Sequence, residues 1–561
     1  MFSSIAATPD LARIRGLPRR VWQDDPDLPD LVRLLTKWLR YSDAACSDRC
    51  EGCKAKTLTP AQAVSLRELS DLGTGVFLPL RPGAGKTLVS LLAATVVQAV
   101  SPVLIVPAAL EIKTRQAMRQ YARHWRIIPM RIVTYEYLSH PLHLSWLREQ
   151  APDLIVCDES HKLKSTKAKC SKRLSAYLRA HPAVKLVTMS GSVAGRSIRE
   201  YAHYLRWALG VSAPVPLSPM EVSTWSLALD EKVTEELRFS PGALLTLSKA
   251  RPGTDLEQAR GAYLDRLTQT PGVVSTLEDV PAVGLKIWTT QLCLPSALVG
   301  KISLMRETWK TPDGHDFSLA LDLWRHARTL GCGLYYRWEP RPPPEWLAAR
   351  RAWFTWANER LAHSRTLDSQ VHLVERIKAG ELSDGGLWGA WQAQRLSFHP
   401  KSVAVWEDNT TLRYAQDWLD REGGLCWVEQ RSFGSRLSLL TGLPFFADQG
   451  LDSRGVLVDN HKGPAIVSIQ SCREGHNLHE FHHKNLVTSP PSRGDRWEQL
   501  LARTHRDGQP EHEVTCEILL TCKESQEALA QAVKDNIFDE QTHGQPKKLC
   551  YAEKQLELGE I

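Results

Sequence analysis

The stretch GVFLPLRPGAGKTLVSLLAATVVQAV, Gly75 to Val100, decides the fold. It opens with a short apolar run, passes through a loop of proline and glycine, and continues as an apolar segment long enough for a helix. A strand without a polar face is buried on both sides, which is the situation of a strand in a parallel sheet covered by helices. The same alternation repeats outward from this stretch. PVLIVP (102–107), MRIVTY (130–135), DLIVCDE (153–159) and VKLVTMSG (184–191) read as strands, with helical patterns between them. Strand alternating with helix predicts a doubly covered parallel sheet.

Residues 211–398 break the rhythm. They are rich in Trp, Arg and Pro, as in RWEPRPPPEWLAARRAWFTWANERL (337–361), and read mostly as helices. From 399 the alternation returns. KSVAVW (401–406), GVLVDN (455–460), PAIVSIQ (464–470), NLVTSP (485–490) and VTCEILLT (514–521) read as strands. NTTLRYAQDWLDREG (409–423) and RWEQLLARTH (496–505) read as helices. The expected organisation is a leader with a cysteine cluster (1–57), a first α/β lobe (58–210), a helical, Trp-rich insertion (211–398), a second α/β lobe (399–535) and a polar tail (536–561).

The composition fits this. In 561 residues, 43% are hydrophobic and 24% charged, which excludes a disordered or collagen-like chain. No apolar run reaches the length of a membrane span, and the first residues do not read as a signal peptide. The protein is therefore expected to stay where it is made, the cytoplasm of a bacterial or virus-infected cell, or the nucleus of a eukaryotic one. A net charge of +7 permits an electropositive surface for nucleic acid without requiring one.

The chemistry concentrates in two runs. LRPGAGKT, Leu80 to Thr87, stands between a strand and a helix, where a phosphate-binding loop belongs. Gly83, Ala84 and Gly85 let backbone N–H groups close round phosphate oxygens. Lys86 can reach the β- and γ-phosphates, and the Thr87 hydroxyl can ligate Mg²⁺. DLIVCDESHKLKS (153–165) puts Asp158, Glu159 and His161 at the carboxyl end of a buried strand, where ligands bind in open α/β sheets. Asp158 can hold Mg²⁺, and Glu159 can orient and deprotonate an attacking water.

With these residues and the segments below, the chain resembles the superfamily-2 helicase-type ATPases, and among them the Swi/Snf-type double-strand DNA translocases. LTPAQ (58–62) resembles the adenine-reading motif, which implies that role for Gln62. LIVPAAL (104–110) and VTYEYL (133–138) resemble strand-end motifs of this branch. MSGSVAGRSIRE (189–200) resembles the motif linking hydrolysis to motion, centred on Ser190, Gly191 and Ser192. SCREGHNL (471–478) resembles motif V, with Gly475, Asn477 and Leu478 matching. EQLLARTHRDGQ (498–509) resembles motif VI, with Gln499, Arg503, His505, Arg506, Gly508 and Gln509 matching. The usual first glycine of the phosphate loop is Leu80 here, a position some helicase-type loops relax. The resemblance covers 58–210 and 399–535.

The resemblance implies two RecA-like lobes with ATP and Mg²⁺ held between them. Lys86, Asp158, Glu159, Arg503 and Arg506 are implied as the catalytic set, the two arginines meeting the γ-phosphate. Gln62, Gly83, Ala84, Gly85, Lys86, Thr87 and Gln499 are implied to bind ATP, with Thr87 and Asp158 on Mg²⁺. His161, Ser190, Gly191, Ser192, Gly475 and Asn477 are implied to couple hydrolysis to motion. The implied partner is DNA, double-stranded and read without sequence specificity, because phosphate contacts carry no sequence information. A strand-separating helicase of the same superfamily and a binding scaffold with an inactive ATP site are the alternatives.

Three further groups stand out. Cys46, Cys50 and Cys53 in CSDRCEGC can ligate zinc if a fourth donor comes from elsewhere. Their spacing also fits a three-cysteine iron–sulfur site, or no metal at all. His476, His479, His482 and His483 in HNLHEFHH are expected in a loop facing solvent or DNA rather than round a metal. Arg337, Trp338, Arg341, Trp346, Arg350, Arg351, Trp353 and Trp356 either grip DNA or form a local core, the latter because Trp346, Trp353 and Trp356 fall near helical spacing.

Overall fold

A computed structural model describes residues 4–556, apart from 45, 47–49, 192–195, 232, 235, 250–251, 277–280, 318, 365–366, 368 and 473–474. The chain divides into two compact units. The first is Met1–Ala282 with Arg493–Ala502 and Ala532–Tyr551, and the second is Val283–Ser492 with Arg503–Gln531 and Ala552–Ile561.

The first unit holds β1 (Gly75–Leu78), β2 (Pro102–Val106), β3 (Arg131–Thr134), β4 (Leu154–Cys157) and β5 (Lys185–Met189). They form one sheet in the order β1-β5-β4-β2-β3, and every pair is parallel. β1, β2 and β4 are buried at every residue, as their unbroken apolar runs predict. β5 separates β1 from β4, so the carboxyl ends of these strands lie side by side. Helices Pro60–Leu72 and Lys86–Val96 pack together on one face of this sheet.

The second unit holds β6 (Gly284–Gln291), β7 (Leu334–Glu339), β8 (Lys401–Trp406), β9 (Leu425–Val428), β10 (Phe445–Phe446), β11 (Ala465–Ser468), β12 (Lys484–Val487), β13 (Glu513–Leu520) and β14 (Glu553–Gln555). Seven of them make a parallel sheet in the order β10-β11-β9-β12-β13-β6-β14. β7 and β8 pair antiparallel as a separate ribbon, so KSVAVW is a strand but not of the parallel sheet.

Two parallel α/β sheets with a helical, Trp-rich region between them is the fold class expected. Some details differ. β6 arises inside 211–398 and pairs with β13 over its whole length. LCWV forms β9, an interior strand between β11 and β12. GVLVDN is not a strand: Val458–Asn460 is a single 3₁₀ turn, with Asp452 accepting the Val456 N–H. The polar stretch 536–549 is largely buried. Phe538, Asp539, Thr542 and His543 pack at the end of helix Lys523–His543. Among the described residues, no helix is long and apolar enough to cross a membrane.

The Trp-rich helices Pro344–His363, Gln370–Lys378 and Leu387–Ser397 have their own small core. Trp346, Trp353 and Trp391 are buried in it with Ala357, Leu367 and Leu373. Arg350 lies over the rings of Trp338 and Phe354, at 5.2 and 5.0 Å from their centroids. Of the two roles open for these tryptophans, Trp346 and Trp353 take the core one.

Candidate functional site

The loop after β1 is shaped by its glycines. Gly83 and Gly85 have φ of 93° and 73°, left-handed values that a side chain disfavours. Gly85 caps helix Lys86–Val96, whose first N–H groups and dipole make this end attractive to an anion. Leu80, where a glycine is usual, is fully buried in the core, so the loop is anchored there by an apolar side chain. Lys86 Nζ donates to the carbonyls of Leu80 and Arg81 at 3.0 and 3.1 Å.

Gln62 reaches this loop from helix Pro60–Leu72. Thr59 and Gln62 form a capping box, and the Gln62 Nε2 donates to the Gly85 carbonyl at 3.1 Å. Gly191, after β5, approaches the same loop at Pro82. A Cβ there would stand 2.8 Å from Cδ of Pro82.

Asp158 and Glu159 follow β4. The Asp158 carboxylate accepts the Glu159 N–H at 3.0 Å, and Tyr135 donates to the Asp158 carbonyl at 2.8 Å. Burial, and then the charge of Glu159, raise the Asp158 carboxyl to about 6. Glu159 has a φ of 51°. Non-glycine residues in this region cost free energy and cluster at functional sites.

His161 ties these pieces together. Its Nδ1 lies 3.2 Å from Glu159 Oε2 and 3.2 Å from Ser190 Oγ, and its Nε2 lies 3.3 Å from Gln499 Nε2. Protonated at Nδ1, the ring can donate to Glu159 while accepting from Gln499. Lys164, just beyond, meets Asp495 at 2.7 Å. Against the cost of burial, Lys164 and Arg493 hold the Asp495 carboxyl well below its ordinary value. The first unit thus brings together Gln62, the loop at 83–87, Asp158, Glu159, His161, Ser190, Gly191 and Gln499. Ser192 lies outside the described residues.

The remaining candidates form a cluster in the second unit. The Arg503 guanidinium donates to the His476 carbonyl at 2.9 Å, and Arg506 donates to Asn477 Oδ1 at 2.5 Å. The Asn477 N–H is accepted by Asp459 at 2.7 Å, and Asp459 also meets His476. Gly475 has a φ of 82°. The Gln509 amide donates to the carbonyls of His482 and Thr504. His476, His479 and His482 are buried, which corrects their expected exposure in a solvent- or DNA-facing loop. His482 is held against the His461 carbonyl, and burial lowers its imidazole to about 4.

The cysteine cluster gains the donor that the sequence does not reveal. His124 Nε2 lies 3.5 Å from Cys46 Sγ, 3.8 Å from Cys50 Sγ and 3.3 Å from Cys53 Sγ. The donor atoms of all four residues fall within 4.8 Å of one another, and among the described residues this is the one His, Cys, Asp or Glu group that converges so. Three thiols and an imidazole in this arrangement can bind zinc. His124 follows helix Glu111–Tyr121, far along the chain from the three cysteines, so no local sequence pattern marks it as their partner.

No family model matches this chain, and no curated protein matches it.

Proposed function

We propose that the chain is an ATP-dependent DNA translocase that hydrolyses ATP with Mg²⁺ and moves along duplex DNA without reading its sequence. The observation that carries this reading is the gathering of Lys86, Asp158, Glu159, His161 and Ser190 at the carboxyl ends of β1, β4 and β5. In this reading the loop at 83–87 holds the phosphates, and Thr87 and Asp158 hold Mg²⁺. Glu159 orients and deprotonates the attacking water, and Arg503 and Arg506 stabilise the charge that builds on the γ-phosphate. Gln62 reads the base edge from its place against Gly85.

Duplex DNA as partner rests on the run RTHRDGQ, Arg503 to Gln509, in the Swi/Snf-type form. The contacts of Arg503 and Arg506 with His476 and Asn477 support pairing the two segments as one functional group.

Steady-state hydrolysis, measured without nucleic acid and with duplex, single-stranded, forked DNA and RNA, tests the reading. Stimulation by plain duplex is expected, with Lys86→Ala inactive throughout. Stimulation by single strands or forks alone replaces the translocase with a strand-separating helicase. Hydrolysis with none of them leaves a binding scaffold.

A further inference from the structure

We propose that Cys46, Cys50, Cys53 and His124 hold one Zn²⁺ as a closed structural site that fastens the leader to the first sheet unit. The inference is independent of the nucleotide chemistry.

The distances suit a single tetrahedral ion. With Zn–S of about 2.3 Å and Zn–N of about 2.0 Å, sulfur–sulfur edges come to about 3.8 Å and sulfur–nitrogen edges to about 3.5 Å. Cys46 and Cys53 Sγ are 3.5 Å apart, and the three sulfurs stand 3.3–3.8 Å from His124 Nε2. An iron–sulfur cluster fits poorly. Its thiolates bind different iron atoms and stand farther apart than donors sharing one ion. Four protein donors leave no open coordination position, which marks a structural rather than a catalytic zinc.

The surroundings are built for a ligand. His124 Nδ1 lies 3.1 Å from the Ser42 carbonyl, which fixes the ring with Nε2 free to ligate. The short helix Glu51–Lys54 turns Cys50 and Cys53 to the same side, the Cys50 carbonyl accepting the Cys53 N–H at 3.0 Å. Gly52 lets this turn sit on the imidazole. A Cβ there would meet His124 Cδ2 at 2.7 Å and the Gln120 carbonyl at 2.8 Å. Backbone bonds flank the cluster, from the Tyr41 N–H to the His124 carbonyl and from the Arg126 N–H to the Leu39 carbonyl.

The energetic logic follows. The ion closes the long loop between Cys53 and His124 and draws its binding free energy only from the folded chain. Beyond Cys53 the same segment runs into Thr59 and Gln62, so the clamp also fixes the start of helix Pro60–Leu72.

The experiment measures metal content on the full-length chain purified without chelator, and again after dialysis against zinc sulfate. About one zinc per chain is expected in the wild type and in His124→Cys, which keeps four soft donors. Under about a tenth is expected in Cys53→Ser and His124→Ala. Because these two variants can fail to fold, Co²⁺ replacement in the wild type is the second measurement. It is expected to give thiolate-to-cobalt charge-transfer bands and the intense visible bands of a tetrahedral ion. A folded wild type that takes up neither metal overturns the proposal, as does iron with inorganic sulfide. Full zinc content in His124→Ala, or loss of zinc in folded His124→Cys, also overturns it. None of these readouts depends on ATP hydrolysis, so the proposal stands or falls apart from the translocase reading.

Discussion

The side-chain amide of Gln62 donates to the carbonyl of Gly85, the residue that caps the helix carrying Lys86. The capping box of one helix is thereby tied to the glycine-loop end of another. Two substitutions separate the parts of this contact. Gly85→Ala must hold a left-handed φ, at about 1–2 kcal/mol, and its Cβ would stand 2.2 Å from Gln62 Nε2. Loss of nucleotide binding is expected, measured with a fluorescent ATP analogue. Gln62→Ala removes one hydrogen-bonding group and is expected to raise the KM for ATP about tenfold with kcat changed less than about twofold.

Glu159 and Lys86 should separate binding from turnover. Glu159→Gln keeps the shape and the left-handed backbone position but removes the proposed base. It is expected to bind ATP with near-normal affinity and to lose at least about a hundredfold in kcat. Lys86→Ala is expected to lose both. Glu159→Gln with normal turnover would mean that another group activates the water.

His161 stands against Glu159 and Ser190 on one nitrogen and Gln499 on the other, and the proposed coupling role makes both contacts testable. His161→Ala and Gln499→Ala are each expected to cut DNA-stimulated hydrolysis about tenfold while nucleotide affinity holds. The double variant should lose little more than either single one, since both remove the same connection. Additive losses would show two independent roles.

How much of this was legible follows from what each residue signals locally. β1 to β5 are apolar runs between glycine or polar punctuation, and the motif residues sit at their ends, so the first unit reads directly. β6 is buried only at Leu285 and Ile287 and carries Lys286, so its pattern does not announce a strand in a parallel sheet. β9 is only the residues LCWV. The stretch after 535 looks like a surface tail because it is polar. Several of its charged groups are instead paired in the interior, Asp539 with His543 at 2.8 Å and Lys547 at 2.6 Å, and Lys548 with Glu498 at 3.4 Å. His124 carries no local signal of metal binding, because its partners come from another part of the chain.

Arg503 and Arg506 should fail differently. Arg503 is buried and holds the His476 carbonyl, so Arg503→Ala is expected to lower the melting temperature by several degrees as well as activity. Arg506 is half-buried and bonds the Asn477 side chain. Arg506→Ala is expected to fold normally, keep most of its ATP affinity and lose about a hundredfold or more in kcat, because a finger of this kind acts on charge that develops in the transition state. Normal hydrolysis by Arg506→Ala would remove it from the catalytic set.

The last expectation concerns acid. His203 is buried in the first unit, its Nε2 donating to the Leu163 carbonyl at 2.8 Å, and burial lowers the imidazole to about 4. The unfolded chain therefore takes up a proton at this residue below about 6.5, while the folded chain resists until about 4. Stability from the neutral ring is present above the unfolded value and is lost as pH falls through that window. Asp230 works in the opposite sense. Burial raises its carboxyl to about 7, so the folded chain holds a proton that the unfolded chain releases. Between about pH 4 and 7 these effects oppose each other, and the pH curve of the wild type alone cannot separate them. His203→Gln keeps an amide donor for Leu163 and removes the titration. Its melting temperature is expected to fall below the wild type at pH 7.5 and to approach or pass it at pH 5. A constant difference between the two proteins across that range would show that His203 does not titrate on unfolding.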